Sequence, residues 1–347
     1  MSNSIKVVQS LAGAEFGGAE NFYTRMVCAL ADQPGIEQHA FTRPNAHRVP
    51  QLAAAGVPVE TFRFGGRFDF LDHFAYSRAL KKLEPDIVLT YMNRASQVTG
   101  KGNYQHVSRL GHYYDLKYHR HADYWIGISL GICDHLIAGG MPAERVFHIP
   151  NFADETKVQA LPKDSFNTPA DKPLLLAAGR LHVNKGFDVL LHALAQIDDA
   201  ILWLAGDGPE EAALKTLCKV LGLSERVRFL GWRNDVAALM ETADIFICPS
   251  RHEGLGSIVA ESWFHHCPIV ATASQGPGEL IDHNDTGLLT PIDDIAALSD
   301  AIKQLIIQPE AAEKLADNAH QHYLKNYRKS VIVKQYTETL LNVAGKK

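Results

Sequence analysis

The chain has 347 residues, of which 46% are hydrophobic and 21% charged, and its formal net charge is −5. At roughly 100–200 residues per domain this length points to two domains, and the composition excludes wholesale disorder, collagen-like repetition and a membrane-spanning body. A general nucleic-acid binder should be basic, so the acidic balance disfavours that class.

In chain order, Met1-Ser2-Asn3-Ser4 leads straight into Ile5-Lys6-Val7-Val8, a start too short for a secretory leader. A first strand is expected over 5–10 and a helix over 18–32, then strands over 37–42, 58–64, 86–91, 106–110, 124–129 and 146–150. From Ala153 to Pro173 the chain turns polar and loses any period, as a linker does. The alternation then restarts, with strands over 174–178, 201–205, 227–230, 245–249, 269–273 and 287–290. Helices are expected over 187–197, 209–221, 235–242 and 256–266, and the tail, 293–343, reads as helices only. Strands separated by helix-length segments imply parallel sheets covered by helices on both faces. A rhythm that stops and restarts implies two such sheets with a cleft between them.

The five cysteines, Cys28, Cys133, Cys218, Cys248 and Cys267, are scattered and include no CxxC pair, so they are expected as buried small hydrophobes. No apolar run approaches the ~20 residues that span a bilayer. The expectation is a cytoplasmic protein, with peripheral membrane attachment left open. Charge is uneven: residues 1–155 hold 15 basic and 15 acidic side chains, and residues 156–347 hold 19 and 24.

Ligands of open parallel sheets sit beyond the carboxyl ends of the strands, and the segments there are polar and glycine-rich. In Glu253-Gly-Leu-Gly-Ser-Ile-Val-Ala-Glu261, Gly254 and Gly256 let backbone N–H groups approach a ligand and open a helix whose N-terminus suits an anion. Glu253 and Glu261 are spaced to bracket a nucleotide sugar, one at the sugar and one at the ribose diol; read alone, Glu261 is equally an exposed helix carboxylate. In the loop from Gly179 to Gly186, Arg180 and Lys185 suit a diphosphate, and read alone the same loop is equally a solvated charged one.

Taken together, these pieces resemble the retaining, nucleotide-sugar-dependent glycosyltransferases of family 4. The matching segments run in family order: Gly179-Arg-Leu with Lys185-Gly186, Gly206-Asp-Gly-Pro, Val227-Arg-Phe-Leu-Gly231, Ala243-Asp-Ile-Phe-Ile-Cys-Pro-Ser250, the Glu253 to Glu261 element, and Gly276-Pro-Gly-Glu279. The first half adds Gly17-Gly-Ala-Glu20, Ala122-Asp-Tyr-Trp-Ile-Gly-Ile-Ser129 and Val146-Phe-His-Ile-Pro-Asn151. The resemblance implies an α/β GT-B fold with two Rossmann-like, doubly wound parallel-sheet domains facing a cleft. Residues 1–160 would form the acceptor-binding domain, with a C-terminal helix of about 325–347 crossing back onto it, and 161–324 the nucleotide-sugar donor domain.

The resemblance also implies roles. Arg180 and Lys185 would neutralise the donor diphosphate, Glu253 would contact sugar hydroxyls, and His112 would stand beside the sugar C6 hydroxyl. These four are the catalytic candidates. Gly254, Leu255, Gly256 and Ser257 would hold sugar and phosphate through backbone N–H groups. Glu261 would bind the ribose hydroxyls, the main chain at Arg233 would line the base, and Gly17, Gly18 and Gly206 complete the donor-binding set. His119, His121, His265 and His266 lie near these segments but off their key positions. Two departures from the family pattern are Ser262-Trp263, where small residues are usual, and Phe152, where glycine is usual. No Asp-x-Asp occurs, so no metal and no cofactor is expected.

On the acceptor side, Arg63 to Lys82 combines Phe64, Phe68, Phe70, Phe74 and Tyr76 with Arg63, Arg67, Arg78, Lys81 and Lys82. That composition suits contact with an anionic membrane and equally an amphipathic helix with core phenylalanines. The stretch from Lys325 to Lys347 adds six basic residues against Glu338 alone. The expected activity is transfer of a hexosyl unit from a nucleotide sugar, by family frequency a UDP-sugar, to a glycan or lipid-linked glycan in cell-surface polysaccharide assembly such as lipopolysaccharide or capsule. The alternatives are a GT-B phosphorylase or epimerase, a non-catalytic sugar-nucleotide binder, and a dinucleotide oxidoreductase. Against the last, the residues from Gly13 to Gly18 lack GxGxxG spacing.

Overall fold

The computed structural model describes residues 4–15, 17–66, 69–254 and 256–345. The first of two compact units runs to Asn151 and resumes at Lys329; the second is Phe152–Arg328. The expected boundaries, 160/161 and 324/325, therefore move. The stretch read as a linker belongs to the second unit because it is bound there. Phe152 and Ala153 are buried, Ala153 within the second unit's core, and the Leu161 N–H and C=O both bond the Thr242 hydroxyl, at 2.8 and 3.0 Å.

The first unit alternates β1 (Ile5–Leu11), α1 (Gly18–Leu30), β2 (Ile36–Thr42), α2 (Arg48–Ala54), β3 (Val59–Thr61), α3 (Phe70–Leu83), β4 (Ile87–Tyr91), α4 (Met92–Val98), β5 (Gln105–Leu110), β6 (Tyr124–Gly127), α5 (Leu130–Ala138) and β7 (Val146–His148). These strands form a seven-stranded parallel sheet in the order β3-β2-β1-β4-β5-β6-β7. The order reverses between β1 and β4, which opens a crevice beyond their carboxyl ends. Strand β3 is shorter than expected: the Phe62 N–H still bonds the Thr42 carbonyl at 2.9 Å, but the rings of Phe62 and Phe64 pack on Phe41 and Tyr76, and Phe64 takes a left-handed φ of 46°.

Two histidines are buried in this unit. His106 on β5 lies 2.9 Å from the Thr90 hydroxyl, and His119 lies 2.8 Å from both Ser108 Oγ and Asn93 Oδ1. Burial, seconded by the neighbouring His121, pushes His106 down to about 3 and His119 down to about 4. Unfolded, both titrate near the ordinary 6.5. Their stability contribution is therefore complete above that pH and is lost as pH falls through it towards 4, because the unfolded chain takes up protons the folded one refuses. The urea midpoint should fall between pH 7 and pH 4; a midpoint that holds constant across that window would refute the assignment.

The second unit alternates β8 (Leu174–Ala178), α6 (Phe187–Leu194), β9 (Ile201–Ala205), α7 (Glu211–Val220), β10 (Val227–Gly231), α8 (Val236–Met240), β11 (Ile245–Cys248), α9 (Ser257–Phe264), β12 (Ile269–Thr272), α10 (Gln275–Leu280) and β13 (Leu288–Thr290). Two helices, α11 (Ile295–Ile307) and α12 (Pro309–Asn326), follow. The six strands are parallel, in the order β10-β9-β8-β11-β12-β13, with the reversal between β8 and β11. Alternate residues of β9 feed opposite faces: Leu202 and Leu204 join a core with Leu190, Leu214 and Leu298, while Ile201 and Trp203 join one with Phe246, Trp263 and Tyr323.

The last helix, α13 (Lys329–Gly345), belongs to the first unit, where it buries Ile332, Tyr336, Leu340 and Val343. Its Tyr336 hydroxyl accepts a hydrogen bond of 3.1 Å from Nε of Arg109, a buried guanidinium that also donates to Asn151 and stacks 4.4 Å from the Phe22 ring. Across the boundary, within the second unit, the Tyr323 hydroxyl accepts from the Ala153 N–H at 3.2 Å and donates to Glu155 at 2.9 Å. Cys133, Cys218, Cys248 and Cys267 are buried and Cys28 half-buried, all as free thiols. Among the described residues no helix is long and apolar enough to cross a membrane.

Candidate functional site

In the second unit the loops after β8 and β11 flank the point where strand order reverses. Gly179 follows β8 and leads to Arg180, which is exposed and has no side-chain partner among the described residues. The chain then makes a single 3₁₀ turn, Val183–Lys185, closed by Gly186 at a left-handed φ of 63°. A Cβ at Gly186 would stand 2.1 Å from the Pro249 carbonyl oxygen, so glycine is what lets this loop approach the end of β11.

That approach sets the Lys185 ammonium against the Glu253 carboxylate in an ion pair, with side chains 26% and 18% exposed. Burial pulls the Lys185 pKa down, but the Glu253 charge and hydrogen bond outweigh it, and the ammonium is held above its ordinary value. Beneath the pair, burial pushes the Cys248 thiol up to about 11, with Glu253 acting in the same direction. The thiol is therefore neutral and offers the pair no charge.

Two residues without a role in the sequence reading hold this arrangement. Arg251 grips Asp188 with both terminal nitrogens, at 2.9 and 2.7 Å, and Asp293 with Nε at 2.6 Å. It also donates to the Val183 carbonyl at 2.8 Å, and its own N–H bonds the Asn184 carbonyl at 2.8 Å. The hydrogen bonds to Asp188, ahead of those to Asp293, raise the Arg251 pKa, so its charge is permanent. From the other side, Gln275 accepts from the Glu253 N–H at 3.3 Å, and the Gly276 N–H bonds the Glu253 carbonyl at 2.8 Å. Arg251 lies between two of the segments that carry the resemblance, Ala243 to Ser250 and Glu253 to Glu261. Its partners, Asp188 and Asp293, lie too far along the chain for any local pattern to reveal them.

Helix α9 begins at Ser257, capped by Gly256 at a left-handed φ of 70°. Its first N–H groups follow Glu253 and Gly254 closely in the chain, and Glu261 follows Ser257 by one turn on the same helix face. Leu255 lies outside the described residues. Gly206 makes a contact of another kind: a Cβ there would overlap the Gly179 carbonyl oxygen at 1.8 Å, so it seats the β9 loop against the β8 loop. Arg233 turns its side chain onto Asp235, at 2.8 and 2.5 Å, and over the Phe166 ring. Trp232 beside it is 62% exposed.

In the first unit, Gly17 and Gly18 open α1. Glu20 folds back so that its carboxylate accepts the Ala14 N–H at 2.7 Å, and a Cβ at Gly17 would meet that carboxylate at 2.3 Å. Gly17 thus shapes the first loop around Glu20 together with Gly13, where a Cβ would meet the same side chain at 2.6 Å, whereas a Cβ at Gly18 would meet nothing within 4 Å. His112 follows β5, exposed, with its ring centroid 5.8 Å from that of Tyr114. His119 and His121 are held by hydrogen bonds inside the unit, and His265 by Glu241 at 2.7 Å. Lys185, Glu253, Gly254, Gly256, Ser257 and Glu261 thus share one loop-and-helix assembly with Arg180, whereas Gly17, Gly18 and His112 belong to the other unit.

A family model described as glycosyl transferases group 1 matches residues 159–322. The lipopolysaccharide core biosynthesis glycosyltransferase LpsE of Rhizobium meliloti (strain 1021) is 33% identical over 328 residues, covering 93% of this chain and 96% of that protein. LpsD of the same organism, described in the same words, is 29% identical over 344 residues, 96% and 97% of the two chains. Among solved structures, Anabaena Alr3699/HepE in complex with UDP and glucose superposes with a TM-score of 0.83 at 23% identity, covering 97% of this chain and all of that one. A glycosyltransferase from Rickettsia africae ESF-5 does so at 0.87 and 18% identity, covering 98% and 99%. The two sheets and these neighbours make the fold GT-B, built from Rossmann-like units.

Proposed function

This chain belongs to the glycosyl transferases group 1 family, and from that premise we propose that it transfers a hexosyl unit from a UDP-sugar to a hydroxyl of a glycan or lipid-linked glycan, with retention at the anomeric carbon. The observation that carries this reading is the Lys185–Glu253 pair, whose carboxylate lies four residues ahead of the start of α9, with the exposed cation Arg180 on the lysine's loop. Together they offer a diphosphate two cations and a row of N–H donors, and a sugar one carboxylate. UDP fits because Alr3699/HepE was solved with UDP and with UDP-glucose. Assembly of a lipopolysaccharide core fits because LpsE and LpsD match along nearly their whole length.

In this mechanism Arg180 and Lys185 stabilise charge building on the departing diphosphate, as donors aimed at developing charge do. Glu253 holds sugar hydroxyls, Gly254 and Gly256 with Ser257 supply main-chain N–H groups, Glu261 takes the ribose diol and the main chain at Arg233 the base. His112 steadies the sugar C6 hydroxyl. The acceptor proton passes to a donor phosphate oxygen in front-face attack, so no enzymatic nucleophile is assigned. The cations carry the role a metal plays elsewhere, and the reaction is metal-independent. The test is UDP release from UDP-sugars with and without deacylated core oligosaccharide, in the presence of EDTA. Release that needs the acceptor and survives EDTA supports the proposal; acceptor-independent release or UDP-sugar epimerisation overturns transfer, and loss of release in EDTA overturns metal independence.

The reading extends to an anionic membrane surface as the place of work. On α3, Phe70, Leu71 and Phe74 are 68%, 85% and 68% exposed, and Arg78, Lys81 and Lys82 are exposed on the same side, while Tyr76, Ala79 and Leu80 face the core. Only part of the aromatic set in that segment can serve a membrane, since Phe64 is core as well, and Arg67 and Phe68 lie outside the described residues. The same holds for Lys346 and Lys347 of the basic tail. Flotation with phosphatidylglycerol vesicles at low salt should carry the protein up, and Phe74→Glu should leave it behind. Wild-type protein that stays at the bottom would refute membrane docking.

A further inference from the structure

We propose that the first unit holds an oxyanion subsite for the acceptor, made by Arg43 and Arg94 around the Phe64 carbonyl. This inference rests on the transferase reading above and narrows its acceptor to sugars that carry a phosphate or carboxylate group.

Arg43 follows β2, Phe64 follows β3 and Arg94 lies in α4 just after β4. Three separate crossovers therefore deliver them to the carboxyl ends of the strands, the ligand side of an open parallel sheet. There the Phe64 carbonyl accepts from Arg43 Nη2 at 3.1 Å and from Arg94 Nη1 at 3.0 Å. Two guanidinium groups thus meet on one neutral acceptor. The left-handed backbone at Phe64, an unfavourable conformation for a bulky side chain, sets the direction of that carbonyl.

Neither cation is neutralised. Among the described residues no carboxylate lies within ion-pair distance of Arg43 or Arg94. Asp72, the acidic group whose charge reaches Arg43, already accepts the N–H groups of Arg63 and Phe64, each at 2.8 Å. Arg63 itself is turned to Asp69 and 82% exposed. The Arg43 pKa is lowered, first by burial and then by the like charge of Arg94, as expected for cations gathered without a counter-charge.

Donors remain for a ligand. A guanidinium has five N–H groups. Arg43 uses one each on the carbonyls of Arg63, Gly13 and Phe64, and Arg94 makes a single bond. Each of the two side chains also lines a cavity. Arg43 borders one of about 250 Å³ with Gly13 and Asn45, and Arg94 one of about 280 Å³ with Gly65, Gly66, His73 and Gln97. In the second cavity His73 Nε2 is enclosed without a hydrogen-bond partner. Paired planar forks with free N–H groups are what a phosphate or carboxylate takes up in bidentate fashion, and a neutral hydroxyl does not.

The test is a titration followed by calorimetry, needing no turnover. Wild type, Arg94→Gln and Arg43→Gln are each titrated with UDP and with three forms of deacylated core oligosaccharide: native, dephosphorylated and carboxyl-reduced. The native form should bind wild type at least about tenfold more tightly than one of the two treated forms, and which form loses affinity identifies the anion. Both variants should lose that preference and keep their affinity for UDP. Equal binding of all three oligosaccharides to wild type, no binding of the native form, or a preference that survives in Arg94→Gln overturns the subsite. Arg94 is exposed and makes one hydrogen bond, so that variant keeps its fold even if Arg43→Gln does not. Failure of UDP to bind would instead sink the transferase reading and leave the anion dependence standing by itself.

Discussion

Replacing Lys185 with alanine should lower kcat/KM for sugar transfer by about two to three orders of magnitude, with the far-ultraviolet circular dichroism unchanged. The effect follows from where the ammonium stands. It is one of two cations on the β8 loop, and the other, Arg180, lies on an exposed part of that loop. Losing Lys185 also leaves the Glu253 carboxylate without its partner, next to the position proposed for the diphosphate, so an attraction is exchanged for a repulsion. The companion variant Glu253→Gln separates charge from chemistry. With its partner neutralised, Lys185 is released to the diphosphate, so UDP should bind more tightly while turnover falls for want of the sugar contact. Wild-type rates in Lys185→Ala, or equal loss of UDP affinity in both variants, would remove the pair from the mechanism.

The second large effect is on stability. Trp263→Ala should destabilise the second unit by about 3–5 kcal/mol through the cavity it leaves. A further ~1–3 kcal/mol comes from the Thr286 carbonyl, which loses the indole N–H now donating to it at 2.9 Å. Trp263 is wholly buried and lies edge-on to His322 of α12 and to Tyr327, at ring distances of 5.2 and 5.7 Å, so it ties α9 to the end of that helix. Against a total stability of about 5–15 kcal/mol the variant stands at the margin of folding. Trp263→Phe keeps most of the volume and should lose only the hydrogen-bond share. Urea denaturation checks both, and an unchanged midpoint in Trp263→Ala would contradict the packing described.

The parts of this molecule legible from sequence are those set by local pattern. Strands 174–178 and 201–205 coincide with β8 and β9, because strands buried on both faces are unbroken apolar runs. Lys185 and Glu253 could be picked out because glycine-rich turns after strands advertise ligand loops. Their pairing could not, since it depends on how closely Gly186 lets two distant loops approach. The segment Arg63 to Lys82 shows the limit from another side. Composition alone could not tell Tyr76, which is core, from Phe74, which faces out. The helical phase that separates them is set by a start at Phe70 after the Asp69 cap. Likewise the polar stretch after Ala153 looked unattached because what binds it, Thr242 and Tyr323, lies far along the chain.

The chain path has a consequence for biosynthesis. The unit that begins first is finished last. Residues 152–328 form a continuous unit that can complete its sheet and both cores as soon as it has been made. The other unit must wait for α13. Until residues beyond 329 emerge, Arg109 lacks the Tyr336 hydroxyl and the apolar surface later covered by Ile332, Leu340 and Val343 stays open to water. The usual order of folding during synthesis, amino-terminal part first, is reversed here by topology. During the interval in which α13 is still being made, the nascent chain holds a finished second unit while its first is incomplete, and that is the stage at which a chaperone would be needed.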